Sequence, residues 1–190
     1  MSAPDVLRRI TTALDRAGIA YMLTGSFASA HHGAPRSTLD IDIIIAANSE
    51  QLRIFVKSLP SGEYYSDLGA ALEAHGRQSL FNVIDLATGW KIDLIILKSR
   101  AFSQEEFVRR QLVKVDGLPL FVASAEDVVI AKLEWSKLAQ SQRQIEDVAA
   151  ILGLRWEALD RLYLEQWISE LDLKEEWSHA KHIARISESA

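Results

Sequence analysis

The run Leu39-Asp40-Ile41-Asp42-Ile43-Ile44-Ile45-Ala46 constrains this chain more than any other segment. Ile41, Ile43 and Ile45 alternate with Asp40 and Asp42, which is the period of a β-strand with one buried face. Both carboxylates therefore point to the same side. A one-residue slip cannot rotate them away without exposing the isoleucines, so the core fixes the register. Two like charges side by side destabilise a strand unless something positive compensates them, and a divalent cation is the natural compensator.

Asp93 repeats the theme. It lies in the apolar run Trp90 to Leu97, where Ile92, Leu94 and Ile95 mark a buried strand, and a carboxylate there needs a partner or a metal. Three acids on neighbouring strands make a site for Mg²⁺ or Mn²⁺, with Asp40, Asp42 and Asp93 as the ligands. Mg²⁺ takes a few carboxylates plus water and phosphate oxygens, and a pair of such ions clamps the attacking and leaving oxygens of an in-line displacement. Phosphoryl or nucleotidyl transfer is the reaction class indicated. Gly25-Ser26 fits the same chemistry, because it opens a small-residue helix after the strand Ile19 to Leu23. Glycine lets backbone approach a phosphate, and the helix start presents free N–H groups. Lys91 shares a strand face with Asp93 and can neutralise a triphosphate; Arg36, just upstream of Asp40, is a second cation for that task.

Around these residues the periodicity predicts a helix over Pro4 to Gly18, with Gly18 as its stop, and helices over Ser49 to Leu59, Asp67 to His75 and Ser103 to Gln111. Ser79 to Leu86 and Trp90 to Leu97 read as a hairpin closed by Ala87-Thr88-Gly89, and Leu112 to Val122 as two short strands about an Asp116-Gly117 turn. From Ser124, an N-cap, the pattern is helical, with Gly153 separating a Gln142 to Leu152 helix from a Trp156 to Leu171 helix. The expected architecture is α+β: a mixed sheet flanked by helices over residues 1–123, and a helical region over 124–190.

Composition bounds the partners. The formal net charge of −5 comes from both signs spread along 190 residues, so no basic stretch marks a large polyanion as the default ligand. There are no cysteines, which excludes thiolate metal sites, cysteine nucleophiles and disulfides. No apolar run approaches the roughly 18 residues of a membrane span, and Met1 to Arg16 lacks a signal-peptide apolar block; a cytoplasmic protein without a membrane partner is expected.

Gly25-Ser26, then Arg36-Ser37-Thr38-Leu39-Asp40-Ile41-Asp42, then Lys91-Ile92-Asp93-Leu94-Ile95 resemble the nucleotidyltransferase superfamily that includes DNA polymerase β and kanamycin nucleotidyltransferase. More narrowly they resemble bacterial nucleotidyltransferases related to abortive-infection type II toxins. The resemblance implies NTP as substrate and Mg²⁺ as cofactor. Asp40 and Asp42 would bind metal, Asp93 would act as base or third ligand, and Gly25 and Ser26 would grip phosphate. It also implies that Lys132, with Asp147, faces the cleft from the helical part. One departure is Phe27, large where the family places a small residue.

Each signal has a bland counterpart. The counterpart for Asp93 is a strand-end acid paired with Lys91 or solvent, and lysines such as Lys91 and Lys132 are commonly solvated. His31 and His32 are adjacent on a helix, point apart, and are read as structural. Trp135, Trp156, Trp167 and Trp177 read as core or interface anchors, which allows a homodimer. The acceptor is open among tRNA, protein and small molecules. The alternative function is a weakly active or inactive nucleotidyltransferase-fold module of a toxin–antitoxin or ligand-sensing system, paired with an antitoxin.

Overall fold

A computed structural model describes residues 3–115 and 117–186. The chain divides into two compact units. One comprises Met1–Ser26 and Ser37–Ala123; the other comprises Phe27–Arg36 and Ser124–Ala190.

The first unit is built on a seven-stranded mixed sheet. Its strands in chain order are β1 (Ala20–Leu23), β2 (Asp40–Ala46), β3 (Tyr64–Ser66), β4 (Leu80–Asp85), β5 (Lys91–Ile96), β6 (Gln111–Val115) and β7 (Leu118–Val122), and in space they run β3-β4-β5-β2-β1-β7-β6. β2 pairs in parallel with β5 and β1 with β7, while the other pairings are antiparallel. The α+β class expected from the pattern is the class observed.

Alternation decides which face of the central strands is buried. Ile41, Ile43 and Ile45 of β2, Ile92 and Leu94 of β5 and Phe81 and Val83 of β4 are almost wholly removed from solvent. Each such side chain contributes about 1.5–3 kcal/mol by burial, which is what holds the carboxylate-bearing residues on the opposite face. Helix α1 (Ala3–Arg16) buries Val6, Leu7, Ile10 and Leu14 as one stripe, and ends at Gly18, whose φ of +67° supplies the left-handed stop. Helix α3 (Ser49–Ser58) starts at a reciprocal cap between Asn48 and Gln51 and buries Leu52 and Phe55. Helices α4 (Leu68–Arg77) and α5 (Ala101–Val108) complete the unit. The β4–β5 turn closes where expected, with Gly89 at φ +74°. Asp116 of the expected β6–β7 turn lies outside the described residues, and Gly117 beside it has φ +80°.

Helix α2 (Gly25–His32) begins in the first unit, and its residues from Phe27 onward belong to the second. The second unit holds α6 (Ala125–Ala139), α7 (Gln142–Arg155), a 3₁₀ turn (Trp156–Ala158), α8 (Arg161–Glu170) and α9 (Lys174–Ile183). Ser124 caps α6 as expected, accepting from the Asp127 N–H at 3.2 Å. Gly153, expected to end a helix, instead lies inside α7. The buried Ile151 and Leu152 carry that helix through to Arg155, and the break comes before Asp160, which caps α8 through the Tyr163 N–H. Tertiary burial outweighs the roughly 1 kcal/mol that an internal glycine costs. Trp167 and Trp177 are core residues, whereas Trp135 is exposed.

Candidate active site

Parallel pairing of β2 with β5 places Asp40 opposite Lys91 and Asp42 opposite Asp93. Antiparallel pairing of β4 with β5 places Asn82 opposite Asp93. Residues in register share a sheet face, so Asn82, Asp93 and Asp42 form a row across three strands, with Asp40 and Lys91 a step along it.

Their side chains meet. The Lys91 Nζ lies 3.3 Å from Asp40 Oδ1 and 3.2 Å from Asp93 Oδ2. The Asn82 amide donates to the other Asp93 oxygen, Oδ1. Exposure falls along the row: the Asp40 side chain is 54% exposed, Lys91 42% and Asp93 14%. Asp42 is flanked by the N-terminus of α2, where the Ser26 backbone N–H donates to its carboxylate. The Thr24 N–H meanwhile donates to the Asp42 carbonyl at 2.9 Å.

Burial, and then the negative charges of Asp93 and Asp40, push the Asp42 carboxyl above the ordinary carboxylate range; the Ser26 N–H and Lys91 pull the other way and do not win. Hydrogen bonding to Asp93, reinforced by the charges of Asp93 and Asp40, lifts the Lys91 ammonium above the usual lysine range against partial desolvation. Lys91 thus bridges Asp40 and Asp93, while Asp42 feels the charge of both acids and, more weakly, of that ammonium.

Gly25 is required here for two reasons. Its φ is +60°, and a Cβ at this position would lie 2.0 Å from Asp42 Oδ2 and 2.6 Å from Asp42 Cγ. The Asp42 carboxylate thus packs directly against the backbone of this glycine. Ser26 is buried, and its N–H is already engaged by that same carboxylate.

Arg36 and Lys132 belong to a different cluster, inside the second unit. Both reach Asp147 Oδ2, Lys132 at 2.7 Å and Arg36 at 3.3 Å, and Lys132 also donates to Gln144 at 2.9 Å. Lys132 and Asp147 are buried. His31 and His32, expected to point apart, have their rings edge to face with centroids 4.9 Å apart, and the Arg155 guanidinium donates to the His32 carbonyl at 2.9 Å. Sequence reasoning missed Asn82; its signal was position, opposite Asp93 in the hairpin, which becomes visible once that register is written out.

Among the described residues, no group of three or more His, Cys, Asp or Glu side chains is arranged to hold a metal ion. The row presents carboxylate oxygens, the donor type that hard cations take, and opens to solvent through Asp40. No described helix is long and apolar enough to cross a membrane.

A family model described as "Nucleotidyltransferase of unknown function (DUF6036)" matches residues 5–188. None of the curated proteins compared matches the chain. Among solved structures, the antibiotic-resistance factor ANT(2'')-Ia in solution is similar with a TM-score of 0.57 at 12% identity, over 94% of each chain. The same factor in complex with adenylyl-2''-tobramycin gives a TM-score of 0.54 at 13% identity, over 91% of this chain and 97% of the other. The lincosamide antibiotic adenylyltransferase LnuA, lincomycin-bound, gives 0.53 at 12% identity, over 76% of this chain and 93% of that one. At these identities the likeness establishes a shared fold.

Proposed function

This chain belongs to a family of nucleotidyltransferases of unknown function, and from that premise we propose that it moves a nucleoside monophosphate from an NTP to an acceptor hydroxyl, releasing pyrophosphate. One observation carries the proposal: Asp42 and Asp93 stand in register on parallel strands with Asp40 beside them, and burial and like charge raise the Asp42 pKa. Such perturbed carboxylates cluster where a site awaits a charged ligand.

In the reaction the acceptor oxygen bonds to the α-phosphorus as the bond from that phosphorus to the bridging oxygen breaks, and that electron pair leaves with pyrophosphate. Asp93, with Oδ1 held by Asn82, takes the hydroxyl proton. Asp40 and Asp42 are the residues that would hold a divalent cation such as Mg²⁺, which when bound supplies charge neutralisation to the phosphate oxygens. Gly25 acts by letting Asp42 stand against the α2 N-terminus. Lys91 is the phosphate-facing cation of the row. Arg36 and Lys132 are each ion-paired with Asp147 and take no part in this proposal.

For the acceptor, ANT(2'')-Ia is found with adenylyl-2''-tobramycin and LnuA with lincomycin. On that likeness a hydroxyl-bearing small molecule is the first acceptor class and ATP the first donor. The formal net charge of −5 supports a small acceptor over tRNA, because a polyanion is held by clustered cations.

The test is label transfer. ATP labelled at the α-phosphorus, with Mg²⁺ and aminoglycoside, lincosamide, tRNA or protein acceptors, should give a labelled acceptor, and Asp42→Asn should abolish it. No transfer with any of the four NTPs, together with equal nucleotide binding by the wild type and Asp42→Asn, would sink the proposal.

A further inference from the structure

An ammonium already stands among the three acids. Lys91 Nζ bridges Asp40 Oδ1 at 3.3 Å and Asp93 Oδ2 at 3.2 Å. With Asn82 on Oδ1, both oxygens of Asp93 are engaged. The acids nonetheless form no ready metal-ligand group among the described residues.

The two partners of Asp93 differ in kind. Asn82 sits on a central strand, with a short side chain fixed by the β4–β5 register. Lys91 is the first residue of its strand, its side chain is 42% exposed, and its four-carbon stem lets the charged end move several ångströms without disturbing the sheet. A divalent cation held by Asp40 and Asp42 would compete with this ammonium for the Asp40 carboxylate and repel it from beside Asp93. Lys91 is also the one group in the row that a triphosphate would attract.

We propose that Lys91 is an exchangeable counter-ion: its ammonium neutralises Asp40 and Asp93 in the free protein and yields that place when a divalent cation arrives with nucleotide, moving to the phosphates. This rests on the nucleotidyltransferase reading and adds a consequence to it. A divalent ion arriving alone must displace Lys91, with no phosphate to receive the ammonium. An ion arriving with nucleotide meets no such obstacle, so the protein discriminates against free metal.

The experiment titrates Mn²⁺ alone, followed by the electron paramagnetic resonance signal of the free ion, into the full-length wild type, Lys91→Met, Lys91→Gln and Lys91→Arg. Both neutral variants should bind Mn²⁺ tighter by about tenfold, within the span usual for coupled binding equilibria. Lys91→Arg, which keeps the charge, should stay near the wild type. Thermal melts provide a second readout: in chelator the neutral variants should melt below the wild type, because the acids have lost their counter-ion, and Mn²⁺ should restore them. Equal or weaker Mn²⁺ binding by both neutral variants overturns the inference while leaving the transferase reading intact. Should no form bind Mn²⁺, the inference also falls, and label transfer alone then decides the reading beneath it.

Discussion

Two carboxylate sites in one sheet meet opposite electrostatic fates. Asp85, at the end of β4, is fully buried on the same face as Phe81 and Val83. It ion-pairs with Arg9 and accepts from the Thr88 N–H at 3.0 Å and the Thr88 hydroxyl at 2.8 Å. Every demand of that charge is met within the chain. Asp42 lies on the other face, less buried, yet the charges of its neighbours Asp93 and Asp40 bear on it, and the ammonium of the row bridges those two neighbours. Burial therefore does not separate a structural acid from a site acid in this protein; the ratio of carboxylates to cations does. A buried acid with its own arginine locks a hairpin to a helix, and a crowded row of acids calls for something from outside.

The contrast breaks most visibly in activity. Asp42→Asn should lower nucleotidyl transfer by about a thousandfold or more, since an electrostatic anchor of this type is worth several kcal/mol in the transition state. Steady-state kinetics at saturating Mg²⁺ would read this. Asp85→Asn should leave the chemistry intact but destabilise the fold by about 3 kcal/mol, because Arg9 would remain part-buried opposite a neutral partner; urea denaturation is the check. If the two variants exchanged phenotypes, the distinction drawn between the sites would be wrong.

Gly25→Ala probes the join between the site and its scaffold. A Cβ meeting Asp42 Oδ2 at a positive φ should cost about 1–3 kcal/mol and displace the carboxylate. Both melting temperature and activity should drop, whereas alanine at Gly89, where nothing stands within 4 Å, should affect stability alone through its φ of +74°.

The smallest effect concerns pH. A carboxyl whose folded pKa is raised gives stability that is present below its unfolded pKa and lost as pH rises through the folded value. Ionising Asp42 as pH rises therefore works against the fold, through its burial and the charges of Asp93 and Asp40. Asp42→Asn, whose side-chain carbonyl can still accept from the Ser26 N–H, should melt about 2–4 °C higher than the wild type at neutral pH, for a gain of about 1 kcal/mol. The gap should close as pH falls below the ordinary carboxylate range. A pH series of calorimetric melts would show it, and a variant less stable at neutral pH would reverse the sign assigned to Asp42.

The same contrast marks how much of the molecule was legible in its sequence. The β2 alternation, the Gly18 and Gly89 turns and the Ser124 cap are local signals, and each element formed where its pattern lay. Strand β3 has no signal in the sequence, because three residues carry no period of their own; it exists through pairing with β4. Gly153 misled because helix propensity is weak against the burial of Ile151 and Leu152. The register of Asp42 with Asp93 follows from the strand patterns once parallel pairing is granted, but Asn82 and the bridging place of Lys91 required the strand order. Asp85 is not legible as a structural acid, because its partner Arg9 is distant in sequence and nothing local announces the pair. The resemblance pairs Lys132 with Asp147, but that Arg36 reaches the same Asp147 oxygen is visible only in the fold, because the three residues are far apart in sequence.

Thermal shift with nucleotide is the most direct measurement of whether the crowded acids take a cation-borne ligand. Mg²⁺ with α,β-methylene-ATP should raise the wild-type melting temperature, by about 2.7 kcal/mol of added stability at a hundredfold excess over Kd, and should leave Asp42→Asn unmoved. An equal rise in both proteins would mean that nucleotide binds without these carboxylates, contradicting the account at its centre.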